Sequence, residues 1–238
     1  MPPSDQYSPP RPDTSDHAHS LVRAGLSAVP VVGGPAVELF QALVTPSLER
    51  RRIAWMEEVA TGLRVLAAQG LNLSRLAESE SFVTTLLDAS AVALRTHKSE
   101  KLMWLKNAVL NATSSGSSDD DLNAMFIHYV DRLTVLHIEL LHAFAQPSRY
   151  LDASTIESLS LQLGGPASGY ADHGVFRAAA QFAFPRLADI DELYNCILDD
   201  LSHRRLIVSL ASAEAKRANP LGFSPSDIGH RLLAFIAR

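Results

Sequence analysis

The densest run of reactive side chains in the sequence is His137-Ile138-Glu139-Leu140-Leu141-His142. Glu139 and His142 have the Glu-x-x-His spacing with which helical bundles hold a bridged pair of metal ions. Such a centre needs the motif twice, with two further carboxylates from facing helices. The chain contains no second copy. At about 100° per residue, Glu139 and His142 fall with His128, Arg132 and Val135, opposite Leu133, Leu136 and Leu140. The spacing therefore predicts a solvated face, with His137 as a hydrogen-bonded histidine at its edge. Asp16-His17-Ala18-His19 stands in a proline-rich stretch that gives a metal no fixed geometry, and neither Asp172-His173-Gly174 nor His203 has an evident partner. Cys196 has Glu192, Asp199 and Asp200 nearby, which oppose a thiolate, so the pattern predicts a structural thiol. Gly-x-Ser-x-Gly, Gly-x-x-x-x-Gly-Lys-Ser/Thr and Gly-x-Gly-x-x-Gly are absent, and Val32-Gly33-Gly34-Pro35 lacks the lysine and strand of a phosphate cradle. The expectation is a protein that is not an enzyme, with no catalytic, cofactor-binding or metal-binding residues.

Composition supports a folded chain. Of 238 residues, 47% are apolar and 20% charged, which excludes wholesale disorder. Twenty-one Lys+Arg against 26 Asp+Glu give a net charge of −5, which argues against a generally basic nucleic-acid binder. One cysteine cannot form an internal disulfide and favours a reducing compartment. The first twenty residues hold five prolines and no apolar run. They predict a disordered tail over 1–20 and no secretory signal, hence a cytoplasmic protein.

Residues 21–147 predict a helical bundle with an apolar N-terminal segment. Between Ala24 and Leu48 the one formal charge is Glu38, and Arg50, Arg51 and Arg52 follow. Two readings stay open here. One is a pair of short core helices joined by the Val-Gly-Gly-Pro turn. The other is a segment that lies on or enters a membrane on activation, with Val31, Val32, Leu39, Phe40, Arg50, Arg51 and Arg52 as its contacts. Ile53, Met56, Ala60, Leu63 and Leu66 then predict a helix from Ser47 stopped at Gly70. Glu80–Thr113 predicts two helices with a break near Lys98. Phe82, Leu86, Leu87, Ala93 and Leu94 line the first, and Leu102, Leu105, Val109 and Ala112 the second. Asn107 and Asn111, four apart on one face, and the patch Arg95–Lys101 read either as a solvated junction or as a docking surface. Ser118-Asp119-Asp120-Asp121 opens one further helix, striped by Leu122, Phe126, Tyr129, Leu133, Leu136, Leu140 and Phe144 and ended at Pro147.

A soft boundary is expected at 147–152. Beyond it come short helices over Glu157–Leu163, Val175–Phe184 and Asp189–Arg205, then a strand at Leu206-Ile207-Val208 and a polar arm. Ser224-Pro225-Ser226-Asp227 then caps a closing helix with proline at its first position. This order, with Leu201-Ser202-His203-Arg204-Arg205-Leu206-Ile207 and with Ser224 standing for the usual threonine before Gly229 and Leu232-Leu233, resembles a winged helix. The fold expected is thus mainly α, a helical bundle over 21–147 followed by a winged-helix-like α+β module over 152–238. The layout as a whole resembles bacterial proteins of the abortive-infection alpha type, which implies a role in phage defence. In a winged helix the third helix faces DNA. Here it carries Asp189, Asp191, Glu192, Asp199 and Asp200, and residues 150–238 hold eight Lys+Arg against ten Asp+Glu. Only Arg204, Arg205, Lys216 and Arg217 could touch a partner or a phosphate backbone. The function expected is that of a non-enzymatic interaction or effector protein acting through protein contacts of this module, with an unidentified protein or a second copy as partner. A membrane-perturbing effector and a DNA-binding regulator are the alternatives.

Overall fold

The computed structural model describes residues 35–114, 120–152, 154, 155, 157, 158, 169–189 and 192–237. They are mainly helical, with one two-stranded antiparallel sheet. Val31, Val32, the 1–20 tail and most of the Glu157–Leu163 segment lie outside them. Packing divides the chain into two units at 97/98.

In the first unit, α1 (Pro35–Ala68) is followed by α2 (Leu73–Ala77) and α3 (Glu80–Arg95), and α3 packs on both. One helix therefore spans what the sequence divides into a piece ending near Leu48 and another starting at Ser47. It runs through Pro46, and Arg50 Nε donates to the Pro46 carbonyl at 3.2 Å. Gly70 stops α1 as its spacing predicts. At φ +108° it occupies the left-handed region that favours glycine, and Leu71 N–H reaches back to Leu66 O at 3.0 Å. The buried face differs from the expected stripes. Trp55 and Val59 are buried on α1, whereas Ile53, Met56, Ala60, Leu63 and Leu66 are only half-buried. On α3 the buried set is Phe82, Thr85, Ala89, Val92 and Ala93, and Leu87 is exposed. Trp55 sets this rotation: its Nε1 donates to Ser90 Oγ at 2.8 Å, and Ser90 Oγ donates to Leu86 O at 2.6 Å. No helix among the described residues is long and apolar enough to cross a membrane.

The second unit begins with α4 (Ser99–Ala112), and the break from α3 falls at 96–98, near Lys98 as the sequence predicts. Next come α5 (Asp120–Arg132) and α6 (Val135–Ala145), where the sequence predicts a single helix. Thr134 interrupts it. Its hydroxyl lies 2.7 Å from His137 Nδ1 and its backbone N–H donates to the same nitrogen at 3.3 Å, so the side chains compete with the helix ladder. The remaining elements are α7 (Gly169–Ala183), α8 (Leu193–His203), β1 (Ile207–Ser209), α9 (Ala213–Ala218), β2 (Phe223–Pro225) and α10 (Asp227–Ile236). The strands pair Ile207 with Pro225 and Ser209 with Phe223.

Pro225 thus belongs to the sheet, and the α10 cap is Ser226, three residues before Gly229, instead of Ser224. Ser226 Oγ accepts from Gly229 N–H at 3.1 Å and donates to Arg205 O. Gly229 is a close-approach position, since a Cβ there would overlap the Leu206 carbonyl oxygen. The expected polar arm contains α9, capped by Ser212. α4 packs on α5 and α10, and α6 packs on β2 and α10, around Leu105, Val109, Val130, Ile138, Leu141, Phe144, Leu201, Leu206 and Leu232.

Candidate functional site

Arg204, one of the predicted contact cations, is built into a defined cluster. It lies just past the last turn of α8, half-buried. Its guanidinium carbon stands 5.7 Å from the centre of the Tyr129 ring of α5, and its Nη2 lies 4.0 Å from Asp200 Oδ1. Asp200 Oδ2 in turn lies 3.5 Å from His137 Nε2 on α6. Because Nδ1 of His137 accepts the Thr134 N–H, the neutral ring carries its proton on Nε2, facing Asp200. Burial pushes the His137 pKa below the ordinary value of 6.5; Asp200 opposes this, while Arg204 and Lys101 reinforce it. The net direction is downward because Asp200 is half-exposed and water screens its charge. Lys101 completes the rim by donating to Asp131 O at 2.8 Å, and burial lowers its pKa.

This network ties α5, α6 and α8 together, and it uses Arg204 internally. Arg205 is exposed with a left-handed φ of 54° just past the helix end, Lys216 Nζ lies 5.9 Å from the centre of the Phe176 ring, and the Arg217 side chain lies outside the described set. The exposed surface of α8 carries Asn195, Cys196, Asp199, Asp200 and His203, so the thiol is at the surface and not structural. Glu139 pairs with Arg186 at 3.0 Å, and His142 is half-buried with its pKa lowered by burial and by Arg149. The face holding these two groups is therefore only partly solvated. Among the described residues no three His, Cys, Asp or Glu side chains are placed to hold a metal ion.

Asn107 and Asn111 are neither a solvated junction nor a docking surface. Asn107 Nδ2 donates to Ile236 O at 3.0 Å, and Asn111 Nδ2 reaches Phe235 O at 2.8 Å and Ala237 O at 2.7 Å. They close the carbonyl end of α10, a role that four-residue spacing on one helix could have signalled.

The membrane-contact candidates separate into two sets. Arg50 is bonded to Pro46 O and Ser47 Oγ, Arg51 to Leu94 O, and Arg52 pairs with Glu49 at 3.5 Å. Leu39 and Phe40, in contrast, are 63% and 52% exposed. With them stand Leu43 at 68% and Val44 at 38%, which the sequence reading did not single out. The signal was present in the i, i+1, i+4, i+5 spacing of four large apolar residues. No family model, curated protein or solved structure matches the chain.

Proposed function

We propose that this chain is a non-enzymatic interaction protein that pairs with a second copy of itself through the first turns of α1. The observation that carries this reading is the exposed patch of Leu39, Phe40, Leu43 and Val44 on consecutive turns of one helix. The occupant is argued from charge. Residues 39–48 carry no formal charge, so two copies of the stretch meet without like-charge repulsion, and a two-fold pairing covers each patch with the other. Arg50, Arg51 and Arg52 are held by their own unit, which weighs against a role in gripping lipid headgroups.

An effector role in phage defence, implied by the abortive-infection resemblance, fits an assembling protein without catalytic groups. The winged-helix-like reading of the C-terminal end is supported by the order α8–β1–α9–β2–α10, in which two antiparallel strands precede the closing helix, with its acidic outer face and engaged Arg204 favouring protein contact over DNA. Sedimentation velocity over a concentration series tests the pairing. The wild-type chain is expected to form a dimer, and Leu43→Glu a monomer with an unchanged circular dichroism spectrum. A wild-type chain that stays monomeric throughout overturns the proposal, and flotation of that monomer with anionic liposomes would replace it with a membrane-lying helix.

A further inference from the structure

Were α5 and α6 one unbroken helix, Thr134 N–H would donate to Val130 O and Asp131 O would accept from Val135 N–H. The chain breaks there, and a side chain stands in for each missing partner. Thr134 N–H donates to His137 Nδ1 at 3.3 Å, and Lys101 Nζ, from α4, donates to Asp131 O at 2.8 Å. The ladder of α5 runs out at Leu133 N–H on Tyr129 O, and Thr134 O takes the first bonds of α6, from the N–H groups of His137 and Ile138. Two ionisable groups thus hold the joint, and they differ in what they need. The Lys101 ammonium donates throughout the acid range, whereas an imidazole accepts at Nδ1 only while that nitrogen carries no proton.

The Thr134 hydroxyl, 2.7 Å from the same Nδ1, can turn from donor to acceptor, but a backbone N–H cannot. A proton on Nδ1 therefore sets two donors against each other at the cap and leaves Thr134 N–H without its partner. On the far side of the ring Asp200 Oδ2, 3.5 Å from Nε2, keeps a proton on that nitrogen in either state, so the acceptor lost is the one at the cap. Among the described residues the charged groups acting on the ring are Asp200 of α8, which favours protonation, and Arg204 just beyond it and Lys101 of α4, which oppose it. The turn at 147–149, β2 and α10 also pack on α6, and none of their groups stands in that set. Ile138, Leu141 and Phe144 of α6 are fully buried, so the loss of one cap bond stays local instead of unseating the helix.

We propose that the α5–α6 joint is an acid-sensitive hinge: a proton taken up from solvent at His137 Nδ1 withdraws the acceptor from Thr134 N–H, and the first turn of α6 loosens while α4, α8 and α10 stay packed. The test is amide hydrogen exchange by NMR on the full chain at about pH 7.5 and about pH 5, corrected for the intrinsic rate, with the side-chain nitrogen signals of His137 followed over the same range. At the higher pH, Nδ1 should give the signal of an unprotonated nitrogen and Thr134 N–H should be protected. As the ring titrates, protection at Thr134 should fall at least about tenfold further than at Val109 and Leu201, buried on α4 and α8. His137→Gln is the informative variant. Thr-x-x-Gln is a capping box whose acceptor does not titrate, so Thr134 should keep its protection at both pH values. A ring that stays neutral until the chain unfolds, a Thr134 amide unprotected at the higher pH, or a loss no greater there than at Val109 and Leu201 would each overturn the proposal. So would the same loss in His137→Gln; if that variant does not fold, the wild-type titration alone decides.

Discussion

Residues 35–97 and residues 98–237 differ in emphasis: the second also exposes Met103, Phe182 and Val208, but these are scattered along the chain and not contiguous on one helix. The first unit leaves Leu39, Phe40, Leu43, Val65 and Leu87 on its surface, and at the start of α1 four apolar residues are contiguous. Arg50, Arg51 and Arg52 are spent on its own carbonyls and on Glu49. The second unit turns polar groups inward and joins most of them to backbone: Asn107 and Asn111 to the end of α10, Asn219 to Phe144 O at 2.9 Å, and His137 to Thr134. A unit whose inward amides are bonded specifies one arrangement of its helices, whereas a run of outward apolar residues is the feature from which the pairing is proposed. On the proposed pairing, scaffold and contact surface lie in different parts of the chain. Breaking the second should cost stability, and altering the outward leucines of the first should cost association.

The most damaging change should be at the α8–β1–α10 junction. Gly229→Ala places a methyl group on the Leu206 carbonyl oxygen, with Pro225 Cβ close behind at 3.1 Å. Backbone must move, so denaturant unfolding should show a loss of more than about 3 kcal/mol. A loss below about 1 kcal/mol would mean that α10 slides freely, and the picture of a tightly specified second unit would fall.

Next in size are the amides. Asn107→Ala leaves the Ile236 carbonyl without its buried donor and should destabilise by about 2 kcal/mol; Asn111→Ala should cost less, because that side chain is partly exposed. The control from the other unit is Leu43→Glu, whose stability should stay within about 0.5 kcal/mol of wild type while association is lost. If Leu43→Glu destabilised as much as Asn107→Ala, the α1 patch would be core, and the contrast would collapse.

How far this was legible in the sequence depended on how local the determinant was. The α3–α4 break near Lys98 and the stop at Gly70 were readable because the residues that make them are adjacent in the chain. The rotation of α1 was not, because Trp55 is oriented by Ser90, 35 positions away. Thr134 was hidden for another reason. The stripe Leu122 to Phe144 continues in helical phase across it, while the cap that breaks the helix is a Thr-x-x-His pair, outside the usual Ser/Thr-x-x-Glu pattern. At the candidate site, Arg204 was legible as a cation near a strand, but its partners Asp200, Tyr129 and, through Asp200, His137 come from three helices.

Acidification should act on the second unit and so sharpens the comparison further. His137 and His142 both have folded pKa values below the ordinary 6.5, first of all because burial disfavours the charged ring. Protons therefore bind the unfolded chain more readily. The stability these rings contribute is fully present above about pH 6.5 and is lost as pH falls through the depressed values. Melting curves between about pH 7.5 and about pH 5.5 should show a falling Tm, and His137→Gln should flatten part of that slope. A Tm that rises on acidification would show that Asp200 outweighs burial at His137.

The smallest effect is expected at Tyr194, and its sign is informative. The ring is buried on α8 at 3% exposure, burial pushes its pKa up, and its hydroxyl has no hydrogen-bond partner among the described residues. Unlike the amides of α4, this polar group contributes no closure to the fold. Tyr194→Phe removes the oxygen and keeps the ring that packs beside Ile197 and Leu198, so unfolding should show no loss, or a gain of up to about 1 kcal/mol. A loss of about 1 kcal/mol or more would place an ordered water or another acceptor against the hydroxyl. Tyr194 would then join the bonded inward groups, and the second unit would hold one fewer exception to its own rule.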